Sequence, residues 1–194
     1  MKKMIPPLAA ALGALSFIAA LVTPAGAQAE GFTETFDDPA LPGWEHSPNS
    51  SVVEGALRIE PGGFAFCPGH WSDLTLEISG RALGPTSLEI AYSTTDKGEY
   101  VLRLESDVVS LRRSDRGLAR SDVEIVPVNE WMRISVTVIG GSHEILRNGR
   151  LILQARDEEP LPPGGLILRV AGPEFGEFDN LVLNAGGVSA IAPA

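Results

Sequence analysis

The stretch that decides the fold is Trp131–Leu183, WMRISVTVIGGSHEILRNGRLILQARDEEPLPPGGLILRVAGPEFGEFDNLVL. Its short apolar runs are cut by Gly140-Gly141, Asn148-Gly149, Pro162-Pro163-Gly164-Gly165 and a bend at Gly172-Pro173. Met132, Ile134, Val136 and Val138 alternate with Arg133, Ser135 and Thr137. Period-two alternation specifies a strand with one dry and one wet face. Asn148-Gly149 predicts a two-residue type I′ turn, because both central positions need positive φ. That turn sets Arg147 opposite Arg150, Leu146 opposite Leu151 and Ile145 opposite Ile152. Leu146, Leu151 and Leu153 are then expected on one core face, with the arginines near the solvated tip.

Upstream segments repeat the pattern. Leu57 and Ile59, Leu74 to Ile78, Leu88 to Tyr92 and Tyr100 to Leu104 all alternate with polar neighbours. Val109 and Leu111 follow a turn at Ser106-Asp107, and Val123 and Ile125 precede Pro127. No stretch sustains a 3.6-residue apolar period. Short strands separated by turn signals predict a single all-β domain, an antiparallel sandwich or barrel.

The first segment reads differently. Lys2 and Lys3 precede an apolar run from Leu8 to Val22, Pro24 breaks it, and Ala27-Gln28-Ala29 follows. This is the pattern of a secretory signal peptide over residues 1–29. The run is shorter than the roughly 20 residues of a spanning helix. The expectation is a bacterial secreted or periplasmic protein, with the domain over 30–184 and a loose tail over 185–194. Lys2 and Lys3 leave with the signal, while all 25 acidic residues remain. The resulting charge, about −12, argues against nucleic-acid and anionic-membrane partners. Cys67 is the only cysteine, so an intrachain disulfide is excluded. Neighbouring Phe64 and Phe66 point to a buried thiol rather than a reactive one. His46, His70 and His143 show no metal-ligand spacing.

Several pieces occur together in order: ETFDD and LPGW near the start, then VVEGALRI, DLTLEI and YVLRLE, then the closing stretch ending in EFDNLVL. In this order they resemble the concanavalin A-like lectin/glucanase superfamily, in particular its laminin-G-like and bacterial sugar-hydrolase-associated domains. The resemblance covers nearly all of residues 31–183. It implies a jelly-roll β-sandwich but no particular ligand, since such folds host lectins, enzymes and adhesion modules. Glycosidases of the superfamily carry a Glu-x-Asp-x-(x)-Glu strand, because two carboxylates must flank the bond. The nearest string here, Glu177-Phe178-Asp179, lacks the third carboxylate, so no catalytic residues are assigned. The resemblance also implies a structural Ca²⁺ between the first and last strands. Asp179 would supply a carboxylate, Gly55 a carbonyl and Glu34 a further side chain; alternatively Asp179 only hydrogen-bonds backbone.

For ligand binding, Trp44 and Trp131 are expected in the core. Trp71 follows Pro68-Gly69-His70 in an expected turn, where its indole either stacks on a ligand or lids the core. Glu89, Ser93, Arg103, Glu105 and Arg112 are expected on the outward face of a sheet. Arg112, Arg113, Arg116 and Arg120 form a basic cluster in an acidic chain. It either meets an anionic glycan or forms a solvated loop balancing Asp107 and Asp115. The candidate ligand residues are Trp71, Arg103 and Arg112, and the candidate ligand is carbohydrate, with acidic polysaccharide as the charged case. The resulting reading is an exported, non-catalytic carbohydrate-binding domain. The alternatives are a glycan-processing hydrolase of the same superfamily and a structural or protein-interaction module of the cell envelope.

Overall fold

The computed structural model describes residues 31–124 and 128–186. The expected signal peptide, Ile125 and most of the expected tail lie outside the described residues. Among the described residues there are fifteen strands and no helix. They form two antiparallel sheets packed as a sandwich, without closure into a barrel.

The eight-stranded sheet contains β1 (Phe32–Glu34), β3 (Ser50–Val53), β4 (Ala56–Ile59), β6 (Leu74–Ala82), β11 (Met132–Ile139), β12 (Ser142–Arg147), β13 (Arg150–Arg156) and β15 (Gly176–Ala185). Its order is β13-β12-β11-β6-β15-β4-β3, with β1 paired to the far end of β15. The seven-stranded sheet contains β2 (Glu45–His46), β5 (Phe64–Trp71), β7 (Ser87–Thr95), β8 (Gly98–Leu104), β9 (Val108–Arg113), β10 (Arg116–Asp122) and β14 (Gly164–Ala171). Its order is β10-β9-β8-β7-β14-β5-β2.

The alternating residues meet between the sheets. Leu76, Ile78, Ile134, Val136 and Leu183 from one sheet are buried with Leu88, Ile90, Leu102, Leu111 and Leu168 from the other. Burial of these rows is the main force holding the sheets together. The alternating strands are therefore placed as the sequence predicts.

Bulges change faces where simple alternation would not. Asn148 (φ 51°) and Gly149 (φ 79°) make the expected turn, with Arg147 opposite Arg150 and Leu146 opposite Leu151. The register then slips, so Ile145 pairs with Leu153 rather than with Ile152. An extra residue in one strand flips side-chain parity beyond it. Ile145 and Leu153 are consequently the buried pair, while Leu151 is exposed and Leu146 only half-buried, contrary to the single core face expected for Leu146, Leu151 and Leu153. A second bulge lies in β15 between Asp179 and Val182, with Asn180 at φ 50°. It lets Phe178 and Leu181, three positions apart, both point inward.

Candidate functional site: the outward face of the seven-stranded sheet

The pleat of β7, β8 and β9 turns Glu89, Arg103 and Ser110 outward in one cross-strand row. Val101 and Arg112 share the next row, which continues to Gly117 on β10. Together with Glu105, Leu118, Ala119 and Arg120 they line a groove of about 490 Å³. Glu89, Arg103, Glu105 and Arg112 are thus brought together. Ser93 is not among them: it is buried at φ 50°, and its hydroxyl donates to the Trp71 carbonyl at 3.4 Å.

The charges on this face fall into two groups. Arg103 donates to Glu105 at 3.1 Å and lies 3.7 Å from Glu89. Arg169, on the neighbouring β14, donates to Glu89 at 2.8 Å and to Glu99 at 2.5 Å. Burial works against the Arg169 charge, but its two carboxylate partners outweigh that and raise its pKa. Glu89 and Glu99 are therefore bridged by one guanidinium. Arg112 and Arg120 differ, since neither has an ion-pair partner among the described residues.

The basic cluster is a β-hairpin rather than a loop. β9 turns through Ser114 (φ 48°) into β10, and strand alternation splits the arginines between two faces. Arg113 and Arg116 turn to Asp157, at 3.1 and 2.8 Å, and not to Asp107 or Asp115. The Asp157 carboxylate also accepts the Tyr100 hydroxyl at 2.8 Å. Burial alone would raise the Asp157 pKa, but its hydrogen bonds and the two arginines lower it below the usual value. Tyr92 joins the same buried cluster through His143 Nδ1 at 2.9 Å. Burial depresses the His143 pKa to about 4, so the ring is neutral near pH 7.

Of the two roles expected for Trp71 the structure shows the lid over the core, while Trp131 leaves the core position expected for it. Trp71 is 4% exposed and ends β5, packed against Phe32 with ring centroids 5.7 Å apart. Pro68-Gly69, expected in a turn, lies inside β5 and is absorbed by a register shift opposite Gly164 and Leu166. A bulge tolerates the missing proline N–H. The Trp71 indole therefore offers no open face to a ligand. Trp131 is 42% exposed, with the Arg81 guanidinium 4.8 Å from its ring centroid. Trp44 is in the core as expected. Cys67 is half-buried, and burial, with the Glu34 charge adding, pushes its thiol up to about 11.

The expected calcium residues are only partly assembled. Among the described residues no three His, Cys, Asp or Glu side chains are arranged to hold a metal, so a cation there would depend on backbone oxygens. Gly55 (φ 76°) sits against Asp37, whose Oδ1 lies 3.3 Å from where a Cβ at Gly55 would stand. Burial raises the Asp179 pKa; the Asn180 N–H pulls it back, and the Asp37 charge adds to the rise. Asp37, Asp179 and the Gly55 backbone thus form one neighbourhood, and Asp37 is the member that sequence reading missed. Glu34 points elsewhere: it accepts the Phe36 N–H at 2.8 Å and the Trp44 indole N–H at 3.3 Å. Both Asp179 oxygens accept from Asn180, Oδ1 from its backbone N–H at 2.6 Å and Oδ2 from its side-chain amide at 2.7 Å, so a hard cation here would share these oxygens with Asn180 and draw further oxygen ligands from elsewhere.

No protein-family model matches the chain, and no curated protein matches it. Solved structures do. A carbohydrate-binding module, CBM66 from Bacillus subtilis, is similar at 17% identity and a TM-score of 0.62, covering 74% of this chain and 96% of that one. The architecture is the concanavalin A-like jelly roll. A Bacillus subtilis protein of unknown function with a galectin-like fold aligns at 12% identity and a TM-score of 0.68, covering 82% of this chain and 98% of its own. A Bacillus licheniformis β-glucanase aligns at 12% identity and 0.67, covering 81% and 99%. At these identities the likeness establishes the fold, and the ligand must be argued from this chain's own residues.

Proposed function

We propose that this chain is an exported, non-catalytic carbohydrate-binding domain whose ligand lies on the outward face of the seven-stranded sheet, with a preference for acidic polysaccharide. The observation that carries the reading is the pair of guanidiniums without an ion-pair partner among the described residues, Arg112 and Arg120, beside a groove with an apolar floor of Val101, Leu118 and Ala119. In a chain of formal charge −10, unpaired arginines on one groove favour a carboxylate-bearing ligand, to which guanidinium bonds in a charge-assisted way. Arg103, held by Glu89 and Glu105, positions the row and contributes less directly. The similarity to a carbohydrate-binding module supports the ligand class.

The lack of catalysis is supported by Glu89 and Glu99. Retaining glycosidases hold two carboxyl groups about 5–5.5 Å apart, one of them protonated as general acid. Here both carboxylates are taken up by one guanidinium, Arg169, at 2.8 and 2.5 Å, so neither is free to face a glycosidic bond. Glu177, in the sequence string nearest to a catalytic motif, lies in the other sheet, 1% exposed between Arg58 and Arg81. We further propose a structural Ca²⁺ held by Asp179, Asp37 and the Gly55 carbonyl; it would fix the junction of first and last strands and take no part in ligand chemistry.

Calorimetry with polygalacturonate tests the main reading. Binding should weaken with salt, since exposed charges are screened. Arg112→Ala should reduce affinity by about fivefold to twentyfold, the range for losing one charged hydrogen bond that is partly exposed. Unchanged affinity in Arg112→Ala, or turnover of glycosides by the wild type, would count against it.

A further inference from the structure

A second groove lies beside the edge strand β10, next to the proposed sheet face, and reaches across to β13. Its volume is about 720 Å³, and Trp131, Leu151 and Ile152 form its apolar part. Trp131 and Leu151 are two of the few large apolar side chains left exposed. Asp122, Glu124, Glu130, Arg147, Asn148 and Arg150 supply its rim.

The indole, just ahead of β11, is held by an aligned row of side chains across three strands. Glu177 on β15 pairs with Arg58 on β4 and with Arg81 on β6. Its carboxylate takes Arg58 through Oε1 at 2.7 Å and Arg81 through Oε2. Arg58 stacks on Phe175 at 4.1 Å, and Arg81 stacks on Trp131 at 4.8 Å. A buried carboxylate thus fixes a guanidinium, and the guanidinium fixes one face of an indole whose remainder stays open. Such a ring loses little conformational freedom when a ligand stacks on it. A tryptophan that served only packing would be more fully covered, as Trp44 and Trp71 are.

The rim decides the ligand class. Three carboxylates face two guanidiniums. Arg150 is paired with Glu124 at 3.6 Å, and Arg147 donates to the Glu124 carbonyl. Asn148 Oδ1 accepts the Arg133 N–H at 2.8 Å, leaving its amide donors free among the described residues. The rim's two guanidiniums are already engaged with Glu124, so an anionic ligand would meet no free cation on the rim. A neutral sugar ring meets what it needs: an indole for its C–H face, and carboxylate and amide groups for its hydroxyl rim.

We propose that Trp131 is the platform of a second carbohydrate site, selective for uncharged sugar rings and separate from the arginine-bearing groove. The choice of ligand class rests on the carbohydrate-binding reading above; the site itself rests on Trp131, its clamp and its rim.

Nuclear magnetic resonance of the indole N–H signals tests it. The probes are neutral hexasaccharides of β-glucan, xylan, mannan and fructan, with polygalacturonate titrated separately. The Trp131 signal, assigned by its loss in Trp131→Phe, should shift with at least one neutral probe, while those of Trp44 and Trp71 stay. Trp131→Ala should bind that probe about tenfold more weakly, the scale of one lost aromatic contact, and Trp131→Phe should fall between. Arg112→Ala should leave neutral binding unchanged. If no neutral probe moves the Trp131 signal, or if Trp131→Ala binds like the wild type, the proposal is wrong. Failure of polygalacturonate to bind would bear on the sheet-face reading alone, so the two can fail separately.

Discussion

Glu177→Gln should destabilise the fold sharply although it changes little volume. The carboxylate is 1% exposed and accepts three charge-assisted bonds, from Arg58 Nε at 3.0 Å, Arg58 Nη2 at 2.7 Å and Arg81 Nε. Each such bond contributes about 1.5–3 kcal/mol. The amide keeps one acceptor but sets its own N–H groups against a guanidinium. It also leaves Arg58 and Arg81 facing each other without a counter-charge. Both arginines remain about a quarter exposed, 28% and 27%, so water recovers part of the loss. The net cost should be about 3 kcal/mol, at the lower end for breaking a buried pair. At roughly 2–4 °C per kcal/mol for a domain of this size, the melting temperature should fall by about 6–12 °C. Thermal denaturation followed by circular dichroism measures it. A fall below about 2 °C would mean that the clamp contributes little and that the ladder behind Trp131 is loose.

Other outcomes follow from the same structure. The His143 pKa is near 4 when folded against an ordinary 6.5; between these values the unfolded chain binds a proton that the folded one refuses, so stability should fall as pH drops through that window. His143→Gln should flatten the difference between urea midpoints at pH 7 and pH 5, and an unchanged difference would contradict this assignment. Trp71→Ala should cost about 3–5 kcal/mol, as a large buried aromatic does, and should lower thermal stability rather than weaken glycan binding selectively. Millimolar calcium against EDTA should raise the melting temperature by roughly 5–10 °C if a site is filled at about 100 times its dissociation constant. Asp179→Ala and Asp37→Asn should each abolish the shift while Glu34→Gln leaves most of it, and no shift in the wild type ends the calcium proposal.

The sandwich was legible because burial imposes period two on most of the long strands, β6, β7, β8 and β11 among them. Leu76, Ile78, Ile134, Val136, Leu88 and Ile90 all point where alternation predicts. What stayed hidden were departures from that period. The slip between Ile145 and Leu146 and the bulge after Asp179 each insert one residue, and each flips everything beyond it. Only Asn180, a residue tolerant of left-handed backbone, hints at the second. The strand through Pro68 was hidden for the opposite reason, since its turn signal was real but was absorbed by a register shift. Arg112 and Arg103 were placed on one face by alternation, and the groove bears that out. Asp157 as partner of Arg113 and Arg116 could not be read from the chain, because more than forty positions separate them.

The places of Trp71 and Trp131 show how such shifts decide which ring stays exposed. Local context assigned Trp71 to a turn, because it follows Pro-Gly, and the resemblance to similar sandwich domains implied a core place for Trp131. The actual determinant is what each ring meets across the sheet. Trp71 ends a strand that runs on through its proline, and it meets Phe32 from the opposite sheet. Trp131 lies one position before Met132, which pairs with Gly80, so continuing the register sets the indole beside Arg81 on the outward face. Met132 takes the inward place and is buried. Strand parity therefore puts the tryptophan outside, and Glu177, fixed by long-range pairing with β4 and β6, decides that it is held there and not free to collapse onto the sheet. The two grooves then differ in sign by the same logic. Parity on β9 and β10 leaves Arg112 and Arg120 outward while sending Arg113 and Arg116 to Asp157. The rim beside Trp131 keeps its acidic excess. One sandwich thereby presents one groove with two outward guanidiniums and another built around an exposed indole with an acidic rim.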